Sequence, residues 1–147
     1  MNYAQATMGR IFIVRLVHGE VLHACIETFA QEKGIRLATV IALGGADKGS
    51  RLVVGPEQGE SQPIVPLEHL LDNVYEIAGV GTLAPNASGA PLLHLHAAAG
   101  RKENSVCGCV RRGVITWHVL EVVVIEMVNE TTRRVVEPES GFELLQP

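Results

Sequence analysis

Two histidines stand two residues apart in Pro91-Leu92-Leu93-His94-Leu95-His96-Ala97-Ala98, an apolar run that follows a loop from Asn86 to Ala90. The run reads as a buried or half-buried strand. Side chains two apart on a strand project from the same face, so His94 and His96 point together. Neutral imidazole nitrogens are common ligands for divalent metals. Shortly afterwards comes Cys107-Gly108-Cys109, where the same period places both thiols on one face. A thiolate joining two imidazoles favours zinc over magnesium or calcium. Three protein ligands would leave a fourth position open to water or substrate, whereas four would close a structural site. The bland reading is a pair of packed histidines and two small buried thiols. A Cys107–Cys109 bridge would close a very tight loop against strand geometry.

Other chemistry-bearing residues are scattered. Glu121 interrupts an apolar strand face, and Glu76 precedes Gly79 and Gly81. A buried carboxylate needs a partner, so either could orient a histidine or act as a base, with a surface position as the plain alternative. His18, His23 and His69 read as surface residues. Arg111-Arg112 and Arg101-Lys102 flank the cysteine strand and could draw an anion toward a metal, although a solvated turn is the more common explanation.

The elements that must position these residues are mostly strands. Arg10 to Val17 is a first strand. Val21 to Lys33 is the one good helix, with Val21, Leu22, Cys25, Ile26, Phe29 and Ala30 in a single stripe and Gly34 as its stop. Cys25 falls inside the stripe and reads as core. Further strands are expected over Arg36–Leu43, ending at Gly44-Gly45, and over Arg51–Val54, Asn73–Leu83, Val106–Val110 and Val114–Val128. Loop is expected over Gly55–Pro63, and Ile64–Leu71 is ambiguous. Short closing strands are expected over Thr131–Val136 and Phe142–Leu145. Many strands, short connections and one helix predict an α+β domain, mainly antiparallel sheet with the helix on one face. In Val114–Val128, Ile115, Trp117, Val119, Val123 and Ile125 point one way, and Val114, Leu120, Val122 and Val124 the other. Both faces are apolar, and one helix covers one face. The other needs a second sheet or a partner subunit.

The 147 residues fit one domain, 1–147, and the 47% hydrophobic content supports a sizeable core. A net charge of −4 argues against a general nucleic-acid binder. Three cysteines do not suggest a secreted disulfide framework. No charged segment followed by an apolar one opens the chain, and Val114–Val128 is too short to span a bilayer, so a cytoplasmic protein is expected.

The stretch Tyr75–Glu126 carries Glu-Ile-x-Gly-x-Gly-Thr, then Leu-His-Leu-His, Cys-Gly-Cys-Val-Arg and Leu-Glu-Val-Val-Val-Ile-Glu. With Arg15, Gly19-Glu20, Leu43-Gly44-Gly45 and Ser140-Gly141-Phe142-Glu143, it resembles the PPC (plants and prokaryotes conserved) domain, as a bacterial stand-alone member. That resemblance implies a PPC-like α+β fold and a homotrimer. It implies a divalent metal on His94 and His96, with Cys109 where prokaryotic members usually have a third histidine and Cys107 where they have a glycine. Bacterial members are often labelled DNA-binding because plant relatives carry AT-hooks. Here Arg112-Gly113 is followed by Val114-Ile115, which is no AT-hook core. The expectation is a trimeric metal-binding domain recognising a small ligand. The alternatives are a metal-dependent enzyme using Glu121 or Glu76 as base, and a DNA-associated protein on the family label alone.

Overall fold

The computed structural model describes residues 1–60, 63–128 and 131–147. The expected helix forms as α1, Leu22–Lys33, burying Leu22, Ile26 and Ala30 at intervals of one turn. It stops where Gly34 turns left-handed, at φ 64°. There the Gly34 and Ile35 amides donate to Gln31 and Ala30. Phe29 meets Phe12 edge to face at 5.3 Å, which ties the helix to the first strand.

The strands are β1 Thr7–Val17, β2 Leu37–Ala46, β3 Arg51–Pro56, β4 Pro66–Leu70, β5 Tyr75–Pro85, β6 Pro91–Arg101, β7 Asn104–Cys109, β8 Thr116–Val128, β9 Arg133–Val136 and β10 Glu143–Gln146. Eight of them form one sheet in the order β1-β8-β2-β5-β6-β7-β3-β4, with antiparallel pairing. The fold is thus α+β, mainly antiparallel sheet with one α-helix among the described residues.

Some expectations change in detail, among them the loop expected from Gly55, whose first two residues belong to β3, while both closing strands form as expected. The ambiguous stretch before Leu71 becomes the exposed strand β4 at the sheet edge. β2 does not stop at Gly44-Gly45 but passes through them, with a register shift against β8 between the two. Gly44, at φ 134°, takes a backbone shape that other residues rarely adopt. The closing strands β9 and β10 pair with each other, in a separate two-stranded ribbon. Residues 61 and 62 of the loop expected over Gly55–Pro63 lie outside the described residues.

One face of the sheet is covered. Ala38, Val40, Leu83, Leu93, Leu95, Leu120, Val122 and Val124 cluster there with Leu22, Ile26 and Ala30 of α1, and none of them is accessible to solvent. At the end of this face Glu126 is buried against Arg10. Its two carboxylate oxygens accept from Nη2 and Nε at 2.7 Å each. The opposite face is open. Cross-strand pairing lines up Ile13, Val123, Ile41, Val80, His96, Cys109 and Val53 in one row across it. Ile13 in that row is 85% exposed and Val80 61%.

Candidate metal centre

His94 and His96 alternate along β6 with Leu93, Leu95 and Ala97, which are fully buried on the helix side, so both imidazoles stand on the open face. Cys109 on β7 is the direct cross-strand partner of His96. Two glycines on β5 fix the position of β6. A Cβ on Gly81 would stand 2.5 Å from Leu95 Cα and even closer to the His94 carbonyl oxygen, so no other residue fits without moving the histidine strand.

The side chains converge. The two imidazoles meet at their Nε2 atoms, 3.1 Å apart, with rings edge to face. One ligand atom from each of His94, His96 and Cys109 lies within 4.8 Å of the others. Zinc holds nitrogen at about 2.0–2.1 Å and sulfur at about 2.3 Å, so a small inward movement would bring all three onto one ion. Cys107 shares the face opposite Ala98, exposed and outside this trio.

Positive charge surrounds the cluster. Burial holds the His94 imidazole below its ordinary value, and Arg134, His96 and Arg111 push it the same way, which keeps its lone pair free for a metal. Arg111 Nη1 donates to the Leu93 carbonyl at 2.7 Å and to Glu27 Oε1 at 3.1 Å, while Glu27 Oε1 also accepts the Leu93 amide at 2.8 Å. This clamp around Leu93 fixes the backbone next to His94. Arg134 of β9 is 2% exposed and donates to the Thr82 carbonyl and hydroxyl, both at 3.0 Å, and to the Leu92 carbonyl at 3.3 Å. Burial lowers its pKa, and nearby Arg111 lowers it further. Sequence reasoning missed Glu27 and Arg134. Nothing in the helical stripe marks Glu27, and Arg134 looks like one of a surface Arg-Arg pair.

The two carboxylates considered as base or orienting residue are placed elsewhere in the subunit. Glu121 shares the open face, in a row with Arg15, Leu43, Ala78 and Ala98. β8 is three strands from β6, roughly 14 Å at about 4.8 Å per strand. Glu76 is exposed at the far end of β5, paired with Gly45 and Gly100. Neither joins the trio within one subunit. His18 and His69 are exposed, whereas His23 is half-buried on α1 and its imidazole is held below its ordinary value chiefly by burial. Cys25 packs half-buried against the core, and burial raises its thiol. Arg112 pairs with Glu68 at 2.9 Å and Arg101 reaches the Val74 carbonyl, so both are engaged away from the trio.

The profile of the Plants and Prokaryotes Conserved (PCC) domain matches residues 3–128, from before β1 to the end of β8. The chain belongs to this family. The PCC match thus contains His94, His96 and Cys109 and stops before the β9–β10 ribbon that supplies Arg134. Among solved PCC-like structures, the metal-containing protein of Archaeoglobus fulgidus is 22% identical, with a TM-score of 0.86 over 100% of both chains. A plant- and prokaryote-conserved protein of Pyrococcus horikoshii is 23% identical, with a TM-score of 0.84 over 100% of this chain and 98% of that one. A Bacteroides thetaiotaomicron protein, named as a candidate DNA-binding protein, is 18% identical, with a TM-score of 0.74 over 97% and 98%. At these identities the likeness establishes the shared fold. No curated protein matches the sequence.

Proposed function

We propose that this PCC-domain chain is the subunit of a cytoplasmic homotrimer. It binds a divalent metal, zinc by its ligand chemistry, at His94, His96 and Cys109, and holds a small anionic ligand on the outward side of that metal. The observation that carries the reading is the convergence of two imidazoles and one thiol within 4.8 Å on the open sheet face. That donor set suits zinc and leaves its fourth position to the ligand. The anionic character follows from Arg134, a buried guanidinium whose hydrogen bonds go to carbonyl and hydroxyl oxygens, and from Arg111 beside His94. The Archaeoglobus protein of the same fold is likewise described as metal-containing.

The trimer rests on the open face. Ile11, Ile13, Val17, Ile41, Leu43 and Val80 are all exposed there in one subunit, an apolar patch that monomers rarely leave uncovered. A three-fold ring covers it in three equivalent contacts and leaves no open end. No helix among the described residues is long and apolar enough to cross a membrane. Direct DNA contact is not part of this function, and binding to duplex DNA is expected to stay flat even at low salt.

Metal analysis of protein purified without a histidine tag tests the site. The expected result is near-stoichiometric zinc that Cys109→Ser abolishes. A protein that carries no metal and takes up no added zinc overturns it. Light scattering tests the assembly, and a clean 15.8 kDa monomer at micromolar concentration overturns the trimer.

A further inference from the structure

Within one subunit the metal centre lacks a part that such centres normally have. A metal-bound histidine donates its second ring N–H to a carboxylate, a carbonyl or water, which fixes the ring. His94 and His96 meet through Nε2, and among the described residues neither Nδ1 makes a hydrogen bond. On the same open face stands a carboxylate with the converse deficit. Glu121 makes no hydrogen bond or ion pair among the described residues, including with Arg15, its cross-strand neighbour. It is flanked by Leu43 across the ladder and by Val119 and Val123 along its own strand. If that surface is covered, the carboxylate loses water and requires a hydrogen-bond donor.

Symmetry limits which donor it meets. In a three-fold ring every contact is heterologous, so a sheet face that the ring folds against itself meets through unlike parts. The open face has two unlike halves. One is the apolar half, β1, β8 and β2, with Glu121 in it. The other is the half of β5, β6 and β7, with the two imidazoles, Cys109 and the positive charge of Arg111 and Arg134. The halves are complementary in missing partners: one presents two ring nitrogens that lack an acceptor, the other a carboxylate that lacks a donor among the described residues. Two other carboxylates of the face are less suited. Glu68 already pairs with Arg51 at 3.3 Å and Arg112 at 2.9 Å, and Glu76 sits at an exposed strand end.

We infer that Glu121 of the partner subunit completes each metal centre by accepting a hydrogen bond from the free ring nitrogen of His94 or His96. It is a positioning residue acting in trans, and the inference rests on the trimeric metal-binding reading above. Each centre is then built by two chains, and a folded but isolated subunit holds its metal weakly.

Glu121→Gln and His96→Ala separate the possibilities. Each variant is made as a homotrimer, and the two are co-expressed with different non-histidine tags so that mixed trimers can be isolated. Cobalt(II), read by its visible absorption and displaced by zinc, is the probe. Glu121→Gln homotrimers should bind cobalt about 10–100-fold more weakly than the unaltered protein. His96→Ala homotrimers should lose the spectrum. Each mixed trimer should regain a single site of unaltered affinity, where a His96→Ala chain presents Glu121 to the intact histidines of a Glu121→Gln chain. Such a site cannot arise if Glu121 acts within its own subunit or only supports the fold. Unaltered affinity in Glu121→Gln homotrimers, or mixed trimers without a restored site, overturns the inference and leaves the metal-binding trimer standing. If the unaltered protein takes no cobalt or zinc, or is monomeric, the underlying reading falls with it.

Discussion

β8 shows the same residue types on two faces with different fates. Val122 and Val124 lie inaccessible on the face that α1 covers, while Val123 and Ile125, one residue away, stay partly exposed on the open face. The covered face contains almost only aliphatic side chains, and its buried carboxylate, Glu126, is met by Arg10 within the chain. The open face mixes aliphatics with two imidazoles, two thiols and Glu121, a carboxylate without a partner among the described residues. A face finished inside one chain can be judged by its own contacts. A face with exposed aliphatics and polar groups lacking partners is unfinished, and its missing contacts describe what must meet it.

Substitutions that treat the two faces alike should therefore fail differently. Val122→Lys places a charge in the closed core, at a cost on the order of 3–5 kcal/mol, enough to unfold many domains. Circular dichroism should show loss of the cooperative melt. Val123→Lys or Ile13→Lys should leave secondary structure intact and convert the trimer to monomers in light scattering. If Val123→Lys instead stays trimeric, the open face is not the interface. Cys109→Ser should keep fold and assembly while losing bound zinc, and Cys107→Ser should retain it, both by metal analysis. Gly81→Ala presses on the His94–Leu95 backbone and should destabilise by about 1–3 kcal/mol, a fall in Tm of roughly 2–12 °C. The smallest effect belongs to the finished face. The hydrogen bond from Arg10, before any other cause, holds the Glu126 carboxyl below its usual range. Its contribution to stability is present above the ordinary carboxylate pKa and is lost as pH falls through the depressed value. Glu126→Gln should therefore be less stable than the unaltered protein near neutrality, with the gap closing in acid, by urea unfolding at several pH values.

Periodicity revealed what is local. The 3.6-residue stripe located α1 to within a residue, and the two-residue alternation sorted β8 into its two faces and put both imidazoles together. Parity assigns a side chain to a face but not to a column of the sheet. It therefore could not show that Cys109 stands directly opposite His96 while Glu121 lies three strands from β6. The column depends on strand order, which is set by long-range packing. Arg134 was hidden for a related reason. Its burial depends on where the β9–β10 ribbon folds back, and four residues of strand carry too little pattern to fix that.

The strand order has one more consequence, in the time course of synthesis. β1 and β2 are made first, yet neither pairs with the other, because β8, Thr116–Val128, lies between them. Thr7 waits for Val128 and Leu37 for Met127 before their ladders can close. A chain growing at about 5–20 residues per second therefore holds two apolar strands with unmatched edges for several seconds, and it closes its sheet by a late insertion rather than by sequential addition. Nascent chains halted before residue 116 should accordingly be protease-sensitive throughout β1 and β2 and prone to associate, and those released after residue 128 should not.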